Sequence, residues 1–280
     1  MNVKTTSVAR RAGMLPLLCA LVTLATLRDA ASRAEAHLDR SLASVDAEGT
    51  EFRVALPDGR TLRSRELVGA VLTLRSGLRL RIEAVEEEKD SRHGSVWLHD
   101  FAVQQSDGTW TNLCQSGPDG RRAGFPVPGR ARADGTVAEA GPGVFELTCT
   151  GGAQGKCVRF GYHPWERGPD GRSLRDLYNA CIRMVRADYG GDGQGTTRDG
   201  TLIDPYDDWK IQTPDMLEGQ DFEAAWGPEG AVCVRHVRIK ENVSPEELVR
   251  GCPQLQGRTG PACTEEFGRA HGALLFNRSR

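Results

Sequence analysis

The sequence predicts a β-rich α+β fold, with an antiparallel β-meander or small barrel in the N-terminal half and hairpins plus one main helix in the C-terminal half. Three observations predict it. Between residues 51 and 114, short apolar segments recur between turns rich in Gly, Asp and Pro. The stretch Leu174 to Ala187 repeats apolar residues at helical spacing. Of the 280 residues, 39% are hydrophobic and 26% charged, within the range that builds a buried core.

The chain divides into residues 1–36, 37–143 and 144–280. The first segment reads as a signal peptide. Lys4, Arg10 and Arg11 form a positive start, and an apolar run from Met14 to Leu27 follows. That run is shorter than the roughly 20 apolar residues needed to cross a bilayer. Ala34-Glu35-Ala36 then fits a cleavage site, with an earlier cut near Ala25 or Ala31 as the alternative. Loss of residues 1–36 removes five Lys/Arg and two Asp/Glu, so net charge moves from −2 to −5. The expected location is secreted, periplasmic or at the cell envelope, with no integral membrane segment in the mature chain. No basic excess points to nucleic acid as a partner, and the partner is otherwise unknown.

Residues 37–50 are small and polar and read as frayed. Phe52–Leu56 and Thr61–Leu67 flank Pro57-Asp58-Gly59, and Val68–Leu74 and Leu78–Val85 flank Ser76-Gly77. In the last of these, Leu78, Leu80, Ile82 and Ala84 alternate with Arg79, Arg81 and Glu83, the period of a half-buried strand. Val96–Val103 and Thr109–Cys114 flank Ser106-Asp107-Gly108. Residues 115–143, rich in Gly, Pro, Arg and Asp, read as a long loop.

The second half opens on an expected hairpin, Val144–Cys149 with Cys157–Tyr162 around a Gly-rich turn. The main helix follows, with Ser173 as N-cap and Asp176 completing a capping-box variant. Leu174, Leu177, Tyr178, Cys181, Met184 and Val185 share one face. Glycines from Gly190 to Gly195 stop it. A second hairpin spans Phe222–Trp226 and Ala231–Ile239. A short helix over Pro245–Arg250 has Ser244 as cap and Glu247 closing the box.

Eight cysteines are present, and Cys19 leaves with the signal. In an oxidising compartment the other seven form disulfides with one thiol left over. Cross-strand spacing in the first hairpin predicts Cys149–Cys157. Cys252 and Cys263 flank a Pro/Gly-rich loop and form the second expected pair. Packing of the main helix on the second hairpin predicts Cys181–Cys233, leaving Cys114 free. A zinc site from Cys233, His236, Cys252, Cys263 and His271 lacks paired C-x-x-C spacing.

The segment Cys181 to Gly193, with Ala187-Asp188-Tyr189 at its centre, resembles the signature of the ADYC-domain proteins, a family of secreted bacterial proteins. The likeness runs on through Thr197–Asp204. It includes Lys156–Tyr162 with Pro164-Trp165, Phe222–Cys233, Leu67–Thr73 and Leu113-Cys114. The resemblance implies compartment and architecture but no reaction. Gly190 stands where that family has its naming cysteine. The resemblance implies a lost bridge there, expected to have run to Cys114.

Asp188, Asp192, Asp199, Asp204, Asp207 and Asp208 crowd the loop after the main helix. Counting Asp188 as position 1 of a calcium loop puts Asp192 at 5, Gly193 at 6 and Asp199 at 12. Asp188, Asp192 and Asp199 are thus the candidate ligands, and calcium is the one candidate cofactor. Against them, Gly190 and Gly195 replace a ligand and an apolar anchor, and Pro205 blocks an exit helix. A Gly/Asp turn cluster, with Asp188 and Asp199 bonded to backbone amides, outweighs the calcium loop. Asp204 with Asp207 or Asp208 is the candidate pair for acid/base hydrolysis. His99, His163 and His236 are candidate bases, better read as half-exposed structural residues. Five tryptophans are candidates for a sugar-binding face, though core packing explains them equally well. No complete catalytic motif occurs. The expected function is a non-catalytic extracellular or envelope binding module. The rival is a secreted hydrolase using the Asp188–Asp208 loop.

Overall fold

The computed structural model describes residues 44–74, 77–90, 94–117 and 119–280. The expected signal segment, Cys19 and Ser76 lie outside the described residues. In chain order the strands of the first half are β1 (Ser44–Glu48), β2 (Glu51–Ala55), β3 (Thr61–Arg63), β4 (Val71–Thr73), β5 (Arg79–Asp90), β6 (Gly94–Gln104), β7 (Trp110–Asn112), β8 (Ala123–Pro128), β9 (Arg130–Ala131), β10 (Val137–Ala138) and β11 (Phe145–Cys149). Then come α1 (Ala153–Arg159), α2 (Arg175–Arg186), β12 (Asp204–Asp207), β13 (Asp221–Gly227), β14 (Gly230–Val234), α3 (Pro245–Gly251), α4 (Glu265–Ala270) and β15 (Leu275–Ser279). The molecule is a β-rich α+β protein with one main helix, α2, in its C-terminal half.

The expected meander is present. β4, β5 and β6 pair in sequence order, and β5 and β6 form a long hairpin with a bulge between Ile82 and Ala84. This sheet continues through β8 to β11 in the order β11-β8-β6-β5-β4. A separate sheet, β1-β2-β3, packs against it. Phe52, Val54, Leu80, Ile82, Phe101 and Phe145 meet in the core between them.

Three expectations, two in this half and one at the start of the second, are corrected. Ser44–Glu48 is not frayed; it pairs along its length with β2. The segment read as a long loop contains β8, whose residues Ala123 to Val127 are all buried. Ala123 and Gly129 bond towards β11, which turns Pro126 and Pro128 towards β6. The β6 pairing covers only Ala123 and Gly124, so the missing proline N–H groups break no ladder bond there. The third correction is α1. Cys157–Tyr162 is not a strand: Ala153–Arg159 is helical, and Gly161 at φ 88° ends it. Val158, Phe160 and Tyr162 alternate in sequence, but Cys157 and Val158 are both fully buried on one helical face.

The second half is one helix against one sheet. The sheet order is β12-β15-β13-β14, so the C-terminal strand lies inside it. α2 packs on one face, where Leu177, Tyr178, Cys181 and Met184 meet Ala224, Trp226 and Leu275. The helix α4 covers the opposite face, over Ala225, Cys233 and Phe276. Leu174, not Ser173, is the N-cap of α2. The Ser173 hydroxyl still accepts the Arg175 N–H at 3.2 Å. The expected capping box of α3 is present, with Ser244 and Glu247 exchanging bonds.

The disulfides follow from these corrections. They are Cys114–Cys149, Cys157–Cys181 and Cys233–Cys263, and Cys252 is the free thiol among the described residues. Cys149–Cys157 fails because Cys157 sits on a helix that packs against α2, where it meets Cys181. Cys181–Cys233 fails because Cys233 lies on the sheet face turned away from α2, beneath α4, where it meets Cys263. That leaves Cys252 without its expected partner. Cys114, expected free, is bonded beside β8.

Candidate functional site

The signature loop begins where α2 ends. Ala187 takes the left-handed conformation (φ 50°, ψ 44°) and is fully buried, where a larger side chain would find no space. This turn drives Asp188 and Tyr189 inwards. The Asp188 carboxylate accepts the N–H groups of Gly191 and Gly193 at 3.0 Å each, and Arg183 Nη1 at 2.6 Å. Arg183, itself 1% exposed, also donates to the Pro228 carbonyl and to Asp134 at 2.6 Å. Desolvation pushes the Asp134 carboxyl up. Its bonds from Thr136 and the Arg183 guanidinium more than offset that and hold it at about 2.

Tyr189 stacks on Trp226 with ring centres 5.2 Å apart. Its hydroxyl donates to Glu223 at 2.9 Å and accepts the Arg238 N–H at 2.9 Å. Arg238 forms a two-pronged pair with the fully buried Glu223 at 2.9 and 3.0 Å. It also donates to the carbonyls of Met184 and Val185, closing the C-terminus of α2. Asn277 of β15 completes the set by donating to Glu223 and accepting from Trp226 Nε1. Asp188 and Tyr189 are thus internal anchors that tie helix, loop and sheet together. Gly191 is needed as glycine: a Cβ there would lie 1.7 Å from the Glu229 carbonyl oxygen.

The candidate calcium ligands do not converge. Asp188 faces Arg183 in the interior, whereas Asp192 and Asp199 are exposed on the loop surface. Asp192 caps the Gln194 N–H at 2.9 Å. Among the described residues no group of three or more His, Cys, Asp or Glu is placed to hold a metal ion. The zinc set is divided too, since Cys233 and Cys263 are bonded to each other. The hydrolase carboxylates are likewise dispersed. Asp204 accepts the N–H groups of Asp215 and Met216. Asp207 accepts from Trp209, Ile211, Gln212 and the Tyr162 hydroxyl. Burial still holds its carboxyl above the usual range against those bonds. Asp208 pairs with Arg269 at 2.9 Å.

His99 and His163 are buried rather than half-exposed, at 0% and 3%. The tryptophans are already engaged. Trp226 is buried, and His163 stacks on Trp165. Arg65, Arg81 and Arg172 lie over Trp97, Trp110 and Trp209.

A concave surface remains beside the signature loop. A cleft of about 760 Å³ runs between the Cys114–Cys149 bridge, the start of α1 and the tip of the loop. Gln115, Ser116 and Lys156 supply polar groups, and Asp199 and Gly200 close the far side. Sequence reasoning found Asp199 but missed the cleft. Its walls come from segments read as a loop and a strand, and nothing in their spacing marks them as neighbours.

No helix among the described residues is long and apolar enough to cross a membrane. A family model described as the ADYC domain matches residues 64–240. No curated protein and no solved structure matches the chain.

Proposed function

This chain belongs to the ADYC domain family, and from that premise we propose that it is an exported, disulfide-stabilised binding module without catalysis of its own. Its binding surface is the cleft of about 760 Å³ at the tip of the signature loop. The observation that carries this reading is the fate of the loop carboxylates. Asp188, Asp204 and Asp207 hold backbone amides, while Asp199 is left at the rim of a cleft walled by a disulfide and a helix. Export accords with three disulfides, which persist in oxidising compartments.

The test has two parts. Protein recovered outside the cytoplasm should lack residues 1 to about 36; N-terminal sequencing that reads Met1 removes the export reading. A glycan and peptide panel should then give ligands whose binding is weakened by Gln115→Trp, a change that puts a bulky ring into the cleft. Turnover of a panel member that falls with Asp199→Asn would replace the binding module with the hydrolase.

A further inference from the structure

A second cleft, which shares only Lys156 with the binding surface proposed above, holds an unsatisfied buried imidazole. The geometry points to a phosphate-binding site in this cleft of about 480 Å³, formed by Lys89 and Glu88 of β5 with Lys156, Arg159 and His163. The reversal at Gly161 after α1 carries His163 inwards. Its ring lies against Trp165, centres 4.9 Å apart and nearly parallel. Nδ1 sits 3.0 Å from Glu166 Oε1. A carboxylate only accepts, so Nδ1 carries a proton. Nε2 is buried and has no hydrogen-bond partner. Buried polar atoms without a protein partner are normally met by water, an ion or a ligand.

The charges around it favour an anion. Glu88 would repel one, but Arg159 holds both its oxygens at 2.8 and 3.0 Å, and Arg121 approaches it at 3.5 Å. Arg159 is in turn occupied by Glu88 and Asp119. Lys156 has no ion-pair partner among the described residues. Lys89 reaches Glu87 only at 4.0 Å, with its side chain 78% exposed. Two ammonium groups and the imidazole are therefore what the cleft offers. Hydrogen phosphate matches them in either charge state of the ring. Its P–O–H donates to a neutral Nε2, or its oxygens accept from a protonated one, while other oxygens accept from the lysines. Sulfate has no O–H and fits only the second case. The shared chemistry is a hydrogen phosphate or phosphate monoester group.

The full chain is titrated with inorganic phosphate at neutral pH and low ionic strength, while imidazole nitrogens are followed by NMR. The expected result is a saturable shift of His163 Nε2, with sulfate binding roughly tenfold more weakly, the scale of one lost charge-assisted hydrogen bond. His163→Asn keeps an N–H for Glu166 but removes Nε2, and should weaken phosphate binding by a similar factor. Lys89→Gln should weaken it a few-fold. Tighter binding of glucose 6-phosphate than of inorganic phosphate assigns the site to a phosphorylated polymer or metabolite; equal or weaker binding assigns it to free phosphate. Absence of any saturable shift in the wild-type protein overturns the proposal. So does sulfate binding as tightly as phosphate to both wild type and His163→Asn. Gln115 does not line this cleft, and His163 and Lys89 do not line the larger one, so the Gln115→Trp result and the His163→Asn and Lys89→Gln results test the two sites separately.

Discussion

Inside the N-terminal core, His99 is placed so that its charged form is excluded. The ring stacks on Phe101 and meets the edge of Phe52, and Nε2 lies 2.7 Å from the Ser64 hydroxyl. That hydroxyl accepts the Phe52 N–H, leaving its proton for Nε2. Burial lowers the His99 pKa to about 4. The unfolded chain, with an ordinary histidine near pH 6.5, therefore takes up a proton before the folded one does. The stabilisation is complete above pH 6.5 and is lost as pH falls towards about 4. Urea unfolding should show stability falling by about 1.4 kcal/mol per pH unit in that window, roughly 3 kcal/mol in all. His99→Phe keeps the ring contacts and should flatten the slope; an unchanged slope would show that other groups set it. This role was hidden in the sequence, where His99 sits on an alternating strand next to Asp100. Which face of β6 is enclosed depends on β1–β3 packing over it from a distance in the chain.

At the scale of elements, the informative position is the turn between α2 and β12. A Cβ built on Gly190 lies 2.7 Å from the free Cys252 Sγ, and Gly190 is not in the left-handed region where a side chain is strained. The bridge implied at this position thus runs to Cys252 at the end of α3, not to Cys114. Gly190→Cys should form a fourth disulfide, worth roughly 4 kcal/mol for a loop of this length. Thiol titration of denatured, unreduced protein lacking residues 1–36 should fall from one thiol to none, with a higher melting temperature. Two alkylated thiols in the variant would show that the pair does not close. The α2 helix and the α3 capping box were legible because their signals are local: a heptad-like apolar face, a Ser and a Glu three residues apart. The cysteine pairing was not. It depended on whether Cys157–Tyr162 was strand or helix, and alternation of Val158, Phe160 and Tyr162 favoured the wrong state. The carboxylates of the candidate site were visible by composition, and the turn reading holds for Asp188, which accepts two loop amides, whereas Asp199 is exposed at the rim of the cleft. Their direction was not visible, because Arg183, Glu223 and Arg238 lie far apart in sequence and look like surface charges until the fold buries them.

For the whole molecule, the packing predicts a cooperative unit larger than the family-matched span. The match covers residues 64–240. Within it, β12 has only β15 as a strand partner, and β15 is also the strand that joins β12 to β13. Cys233 finds its partner Cys263 beyond the match. On the other side, Phe52 and Val54 of β2 fill the core against Leu80, Ile82 and Phe101, yet they precede the match. Asn277 is the buried acceptor for Trp226 Nε1 and a donor to Glu223. Without β15, a fully buried carboxylate and indole each lose a partner, at about 1–3 kcal/mol apiece. The sheet under α2 also loses its inner strand, including the fully buried Leu275 and Phe276. These losses together approach the 5–15 kcal/mol of a typical domain. A fragment of residues 64–240 should therefore lack cooperative unfolding and dispersed amide signals, whereas residues 44–280 should show both. A chain ending at Leu274 should fail in the same way as the shorter fragment, despite retaining the entire signature loop and all three disulfides. If residues 64–240 instead melt as one sharp transition, the buried Glu223–Arg238–Asn277 network is not what holds the C-terminal half together.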